Sequence, residues 1–141
     1  MLVDANILLY SVDRESPFHE RSLSWMVTAL NGPRRVAIPW VSLIAFARIA
    51  TNPRATRNAL TPAQAWDVVN SWLDAPSSWI PEPGRGHREI LGQLIVQHDV
   101  RAGLVTDAFL VALCLEHGLE MISADSDFAR FPEIRWINPL V

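Results

Sequence analysis

The chain contains no lysine: all 12 of its basic residues are arginine. This excludes chemistries that depend on a lysine ammonium, among them Walker-type phosphate loops, Schiff-base enzymes, and receiver domains or haloacid-type phosphatases with their phosphate-pairing lysine. Cysteine is almost as scarce. Cys114 is the only one, so an internal disulfide and a thiolate zinc cluster are both excluded. It lies in the apolar run from Phe109 to Leu115, where a thiol is expected to be buried. No apolar run approaches the roughly 20 residues that span a bilayer. Asp4 stands at the fourth position and no basic residue precedes Arg14, so no secretory leader is expected and a reducing cytoplasm is the expected compartment. A broad positive surface is lacking too. Net charge is −3, so any hold on nucleic acid must come from local groups of arginine.

What is present reads as one folded unit. Half of the 141 residues are hydrophobic and 19% are charged, a balance that favours a packed core over disorder. There is no repeat, low-complexity stretch or Gly/Ser linker, and residues 1–141 are read as a single domain. Met1-Leu2-Val3 fits a short buried strand with Asp4 at its C-terminal end. Ser16-Pro17 reads as a cap and first position of a helix that carries Leu23, Met26, Val27 and Leu30 and stops at Asn31-Gly32-Pro33. Val36 to Pro39 reads as a second strand. Trp40 to Ala50 is apolar on almost every side and predicts a buried helix, ended by Asn52-Pro53. Thr61-Pro62-Ala63-Gln64 is a capping box for a helix whose face is Ala65, Val68, Val69 and Trp72. Trp79-Ile80 suggests a third strand, and Ile90, Leu91, Leu94 and Ile95 another amphipathic helix. A helix from about Thr106 to His117 closes on Gly118 as a left-handed cap. Glu120 to Ser123 and Arg135 to Ile137 read as two further strands. Short apolar strands alternating with helices imply an α/β fold around a parallel sheet, where ligands gather at the C-terminal strand ends.

Asp4 and Asp125 stand at two such ends. Asp107 sits in the first turn of an otherwise apolar helix, and Asp127 is close behind Asp125. Crowded carboxylates repel one another unless a cation neutralises them. Magnesium or manganese suits oxygen donors and can activate water against a phosphodiester. Each aspartate also has a purely structural reading. Asp4 can cap a turn or helix that begins near Asn6, Asp107 favours a helix N-terminus, and Asp125 and Asp127 suit turns. The residues alone leave an α/β protein with an acidic site that can take a metal.

Taken together, the motifs resemble the PIN-domain family, and within it the VapC-type ribonuclease toxins of type II toxin–antitoxin pairs. Leu2-Val3-Asp4-Ala5-Asn6-Ile7-Leu8-Leu9-Tyr10 is similar to the family's opening motif. Thr106-Asp107-Ala108-Phe109-Leu110-Val111-Ala112 resembles the later acidic helix. Glu116-His117-Gly118 and Ser123-Ala124-Asp125-Ser126-Asp127-Phe128 match the next strand and its acidic loop, and Trp136-Ile137-Asn138-Pro139-Leu140 resembles the ending of one branch. The resemblance covers the whole chain. It implies a small parallel sheet of four to five strands flanked by helices, in a homodimer. It also implies Mg²⁺- or Mn²⁺-dependent endonucleolytic cleavage of structured RNA of the tRNA or rRNA class, and a VapB-type antitoxin as partner. By the same resemblance Asp4, Asp107 and Asp125 are metal ligands, and Asp127 assists through water or a second metal. Asn6 and Ser123 orient the carboxylates by hydrogen bonds.

One position departs from the family. Where a glutamate is usual in the helix after the second strand, this chain has Ala45, and no acidic residue lies between Glu20 and Asp67. A PIN-like protein that binds RNA or its antitoxin without turnover is therefore a second reading. An unrelated α/β phosphate-handling enzyme is a third, disfavoured by the absence of lysine. Arg48, Arg54 and Arg57 are the candidates for RNA phosphates. Arg48 lies in an apolar helix, where it is expected to pair with a carboxylate or point into the cleft. The six tryptophans are read as core or interface anchors, and the four histidines as surface or structural groups.

Overall fold

A computed structural model describes residues Met1–Val141. Five strands, each only two residues long, form one parallel sheet: β1 (Leu2–Val3), β2 (Val36–Ala37), β3 (Ser78–Trp79), β4 (Met121–Ile122) and β5 (Trp136–Ile137). Their order is β3-β2-β1-β4-β5. Six helices connect them: α1 (Ala5–Val12), α2 (His19–Leu30), α3 (Trp40–Ala50), α4 (Pro62–Leu73), α5 (His87–Gln97) and α6 (Leu104–His117). A 3-10 turn, Ser126–Arg130, follows β4.

The strand residues point alternately to opposite faces, as the pleat requires. Val3, Val36 and Ile122 join Ile7, Met26, Phe46, Val69 and others in one apolar cluster under α1–α4. Leu2, Ala37 and Met121 join Leu94, Val111, Phe128 and Phe131 in a second cluster under α5 and α6. The molecule is thus three layers, with β1 fully buried at the centre. Cys114 belongs to the second cluster and is buried; burial pushes its thiol up to about 12.

Several local readings hold. Thr61 and Gln64 form the reciprocal capping box on α4, and Gly118 closes α6 at φ 66°. The helix that Asp4 was read as able to cap is present as the two-turn α1, capped by Asp4 itself. Two expectations are corrected. The helix carrying Met26 begins at His19, not at Pro17. Ser16 instead holds a tight turn, its hydroxyl accepting from the Phe18 amide at 3.1 Å. Helix α3 spans the expected residues but is not buried all round. Trp40, Ile44 and Arg48, spaced four apart, share one exposed face.

Candidate functional site

Because every strand is parallel, all five C-terminal ends lie on one edge of the sheet. Asp4 follows the end of β1. Its backbone amide donates to the carbonyl of Ile122 at 3.0 Å, which continues the β1–β4 pairing up to the edge. Asp125 follows β4 by three residues. Helix α6 delivers Asp107 in its first turn.

Asp4 does two things at once. Its Oδ1 accepts from the Ala5 amide at 2.7 Å and caps α1. Its Oδ2 accepts from the Ser123 hydroxyl at 2.7 Å and from Asn6 Nδ2 at 3.3 Å. The structural and functional readings of this aspartate are therefore compatible, because a carboxylate offers about four acceptor positions. Ser123 is the hub. Its Oγ also accepts from Asn6 Nδ2 at 3.1 Å and from the Asp125 amide at 3.0 Å. Asn6 completes the frame by accepting at Oδ1 from the Ala124 amide at 3.1 Å. The contacts predicted for Asn6 and Ser123 are thus present, and they tie β1, α1 and the loop after β4 together.

The loop brings a third acid into range. Asp125 Oδ1 accepts from the Asp127 amide at 2.8 Å, capping the 3-10 turn. One carboxylate oxygen each from Asp107, Asp125 and Asp127 lie within 4.8 Å of one another. Asp4 stands beside this trio rather than in it. Asp107 feels the other three. Burial raises the Asp107 carboxyl most, and the charges of Asp4, Asp125 and Asp127 add to it, pushing it up to about 7. Asp4 is raised as well, chiefly by burial. Hydrogen bonds from Ser123 and Ala5 oppose that rise, and the charge of Asp125 adds to it. None of the four forms an ion pair with a protein cation. The donor set, all oxygen and anionic, with no internal counter-charge, fits a hard divalent cation.

Ala45 lies one turn beyond Val41, so the two share a helix face. Val41 packs against the cluster that contains Ala108 and borders Leu104. Ala45 is half-buried and belongs to neither apolar cluster. The position therefore shares the Val41 face of α3 without filling a core site.

The arginines are further apart. Arg48 makes no ion pair and is exposed, contrary to expectation. The helix is amphipathic after all, so the charge has no need of a partner. Arg54 and Arg57 sit in the exposed turn after α3, Arg57 at 4.0 Å from Glu15. Two contacts were not read from the sequence. The indole of Trp136 donates to the Ser123 carbonyl at 2.9 Å, bracing the hub from β5. His87 Nδ1 meets Glu116 Oε2 at 2.7 Å, and Glu116 Oε1 accepts from the Gly84 amide at 2.9 Å, fastening the segment before α5 to α6. Both link residues distant in sequence, with no local spacing to reveal them.

The parallel α/β sheet thus gathers four aspartates at its C-terminal edge, the edge at which such folds bind their ligands. The chain belongs to the PIN domain family, whose pattern matches residues 1–134. It is 42% identical over 138 residues to Ribonuclease VapC37 of Mycobacterium tuberculosis, covering 98% of this chain and 96% of that protein. It is 34% identical over 140 residues to Ribonuclease VapC33 of the same species, covering 99% and 98%. Among solved structures, VapBC-1 from nontypeable Haemophilus influenzae shares the fold with a TM-score of 0.70 at 12% identity, over 99% of this chain and 98% of that one. VapBC2 from Rickettsia felis, bound to a DNA fragment of its promoter, shares it at 0.66 and 15%, over 97% and 96%. No helix is long and apolar enough to cross a membrane.

Proposed function

We propose that this chain is the endoribonuclease toxin of a VapBC-type toxin–antitoxin module, hydrolysing phosphodiester bonds in structured RNA of the tRNA or rRNA class. The observation that carries the reading is the trio Asp107, Asp125 and Asp127, with Asp4 beside it and no protein cation to neutralise them. Likeness over nearly the full length to proteins named as VapC ribonucleases supports the reaction class. The fold shared with VapBC complexes supports a VapB-type antitoxin as partner.

Asp107, Asp125 and Asp127 would hold Mg²⁺ or Mn²⁺, with Asp4 completing the set. Such a cation supplies Lewis-acid stabilisation of the phosphodiester and lowers the pKa of its water. The protein's own part is positioning. Ser123 and Asn6 fix the Asp4 carboxylate, and the Asp127 amide fixes Asp125. Preset donors need no reorganisation as the reaction proceeds.

Ala45 favours a second reading, a PIN-fold protein that binds RNA or antitoxin without turnover. No carboxylate is available from α3. The two are separated by incubating purified protein with total tRNA and rRNA in EDTA, Mg²⁺ and Mn²⁺. Cleavage that needs metal and is lost in Asp107→Asn supports the toxin; RNA left intact under every condition supports the second reading.

A further inference from the structure

The exposed face of α3 has a composition that the acidic site does not use. Trp40 opens the helix with 39% of its surface exposed, and Ile44, one turn on, is 64% exposed. Arg48 follows a turn later, exposed and without an ion pair. Trp66, on α4, is 51% exposed and stacks on Trp40 with ring planes 10° apart and centroids 6.4 Å apart. Two near-parallel indoles, half open to solvent, thus continue into an aliphatic side chain and a free guanidinium. Eight helical residues place Arg48 roughly 12 Å along the axis from Trp40.

The position is equally specific. Leu2 pairs with Ala37 in parallel, so β1 and β2 run side by side toward one edge, where Asp4 follows the first and Trp40 opens the helix after the second. The Ser42 hydroxyl donates to the Val3 carbonyl at 2.8 Å, locking the first turn of α3 to the strand that carries Asp4. Arg48, exposed and free of any ion pair, is the cation on this face, and it suits a phosphate.

We propose that Trp40 and Trp66, with Ile44 and Arg48, form a stacking ridge that holds an unpaired base of the RNA and its flanking phosphate beside the acidic site. This rests on the ribonuclease reading and adds to it a preference for a nucleotide outside a duplex. Aromatic side chains stack on any base, because every base has a π face. A guanidinium adjoining the stack takes the backbone.

The test uses the full chain in an Asp4→Asn background, so that RNA is bound but not cut. The probes are a fluorescein-labelled 12-nucleotide single-stranded RNA and the same backbone with abasic residues, read by anisotropy at fixed salt. Trp66→Leu and Trp40→Leu keep apolar bulk and remove the π face. Each is expected to weaken the base-bearing RNA about tenfold, roughly 1.4 kcal/mol, and the abasic strand less than twofold. Trp66→Tyr retains the wild-type preference. Arg48→Ala weakens both strands alike and lowers the salt slope by about one. Equal losses on both strands, or no loss, overturn the ridge. So does a fall in molecular mass by light scattering, which marks the face as an interface between copies. If the parent binds neither strand, or if it binds and the leucine variants bind as well, the ridge fails; the ribonuclease reading fails separately, by intact tRNA and rRNA in the cleavage assay.

Discussion

Replacing Asp107 by asparagine isolates the electrostatic cost of assembling the acidic site. The folded carboxyl is raised from 3.8 to about 7 by burial and by Asp4, Asp125 and Asp127. At 1.36 kcal/mol per pH unit, the ceiling on the destabilisation is about 4 kcal/mol. Asp107 is only half-buried, and solvent screening reduces this to about 2 kcal/mol. The sign follows from proton binding. Between pH 4 and 7 the folded state holds the proton more tightly than the unfolded state, so folding is favoured by acid. That advantage declines as pH rises through the window, and above 7 the full cost is present. Asparagine has nearly the same shape and no charge. In EDTA, wild-type melting temperature should therefore fall between pH 5 and pH 8, while Asp107→Asn stays flatter. At pH 8 the variant should melt higher by about 6 °C, taking roughly 3 °C per kcal/mol for a chain of this size. At pH 5 the gap should narrow. Saturating Mn²⁺ should reverse the order at pH 8, because a ligand that binds only the native state stabilises it and the variant has lost a donor. Parallel pH curves for the two proteins in EDTA would refute the claim that Asp107 is held in an unneutralised acidic cluster.

Other perturbations probe the neighbouring groups. Asp4→Asn should lower RNA cleavage at least 100-fold, since bound metal typically contributes several kcal/mol to the transition state. It keeps an acceptor for the α1 cap, so circular dichroism should be unchanged, whereas Asp4→Ala should also lose about 1 kcal/mol of stability in denaturant titration. Ala45→Glu should destabilise the protein in EDTA and raise both Mn²⁺ affinity and cleavage rate. Destabilisation that Mn²⁺ fails to rescue in melting curves would show a buried unpaired charge instead. Ser42→Ala removes a buried donor from the Val3 carbonyl and should cost about 1–3 kcal/mol by urea unfolding.

What could be read from the sequence was whatever local chemistry determines. The capping box of α4 and the left-handed cap of α6 were legible because each is specified by a few adjacent residues. Helix α1 was legible only through Asp4 as a cap, because Ile7, Leu8 and Leu9 leave little polar contrast for a helical period to appear. The start of α2 was misplaced because Ser16-Pro17 suits a turn as well as a cap. The aspartates were legible as a set, but their grouping was not. Asp127 enters the trio through the 3-10 turn that Asp125 caps, while Asp4 is drawn aside by its bonds to Ala5 and Ser123. The exposure of Arg48 was misjudged because Trp40 and Ile44, apolar by type, were counted towards the core.

The central position of β1 has a consequence for the order in which the molecule acquires its chemistry. Leu2 finds its partners at Ala37 and Met121, so its pairing with β4 closes a loop of about 120 residues, the kind of long-range contact that slows folding. Synthesis runs from the N-terminal side, and Asp4 therefore exists as a bare side chain long before Ser123, Asp125 and Asp127 have been made. An incomplete chain lacking β4 has neither the hub that orients Asp4 nor two of the three clustered acids. Nascent chains and copies cut before β4 thus lack an assembled acidic site, and a cell making this protein meets none until Ser123 to Asp127 have been added.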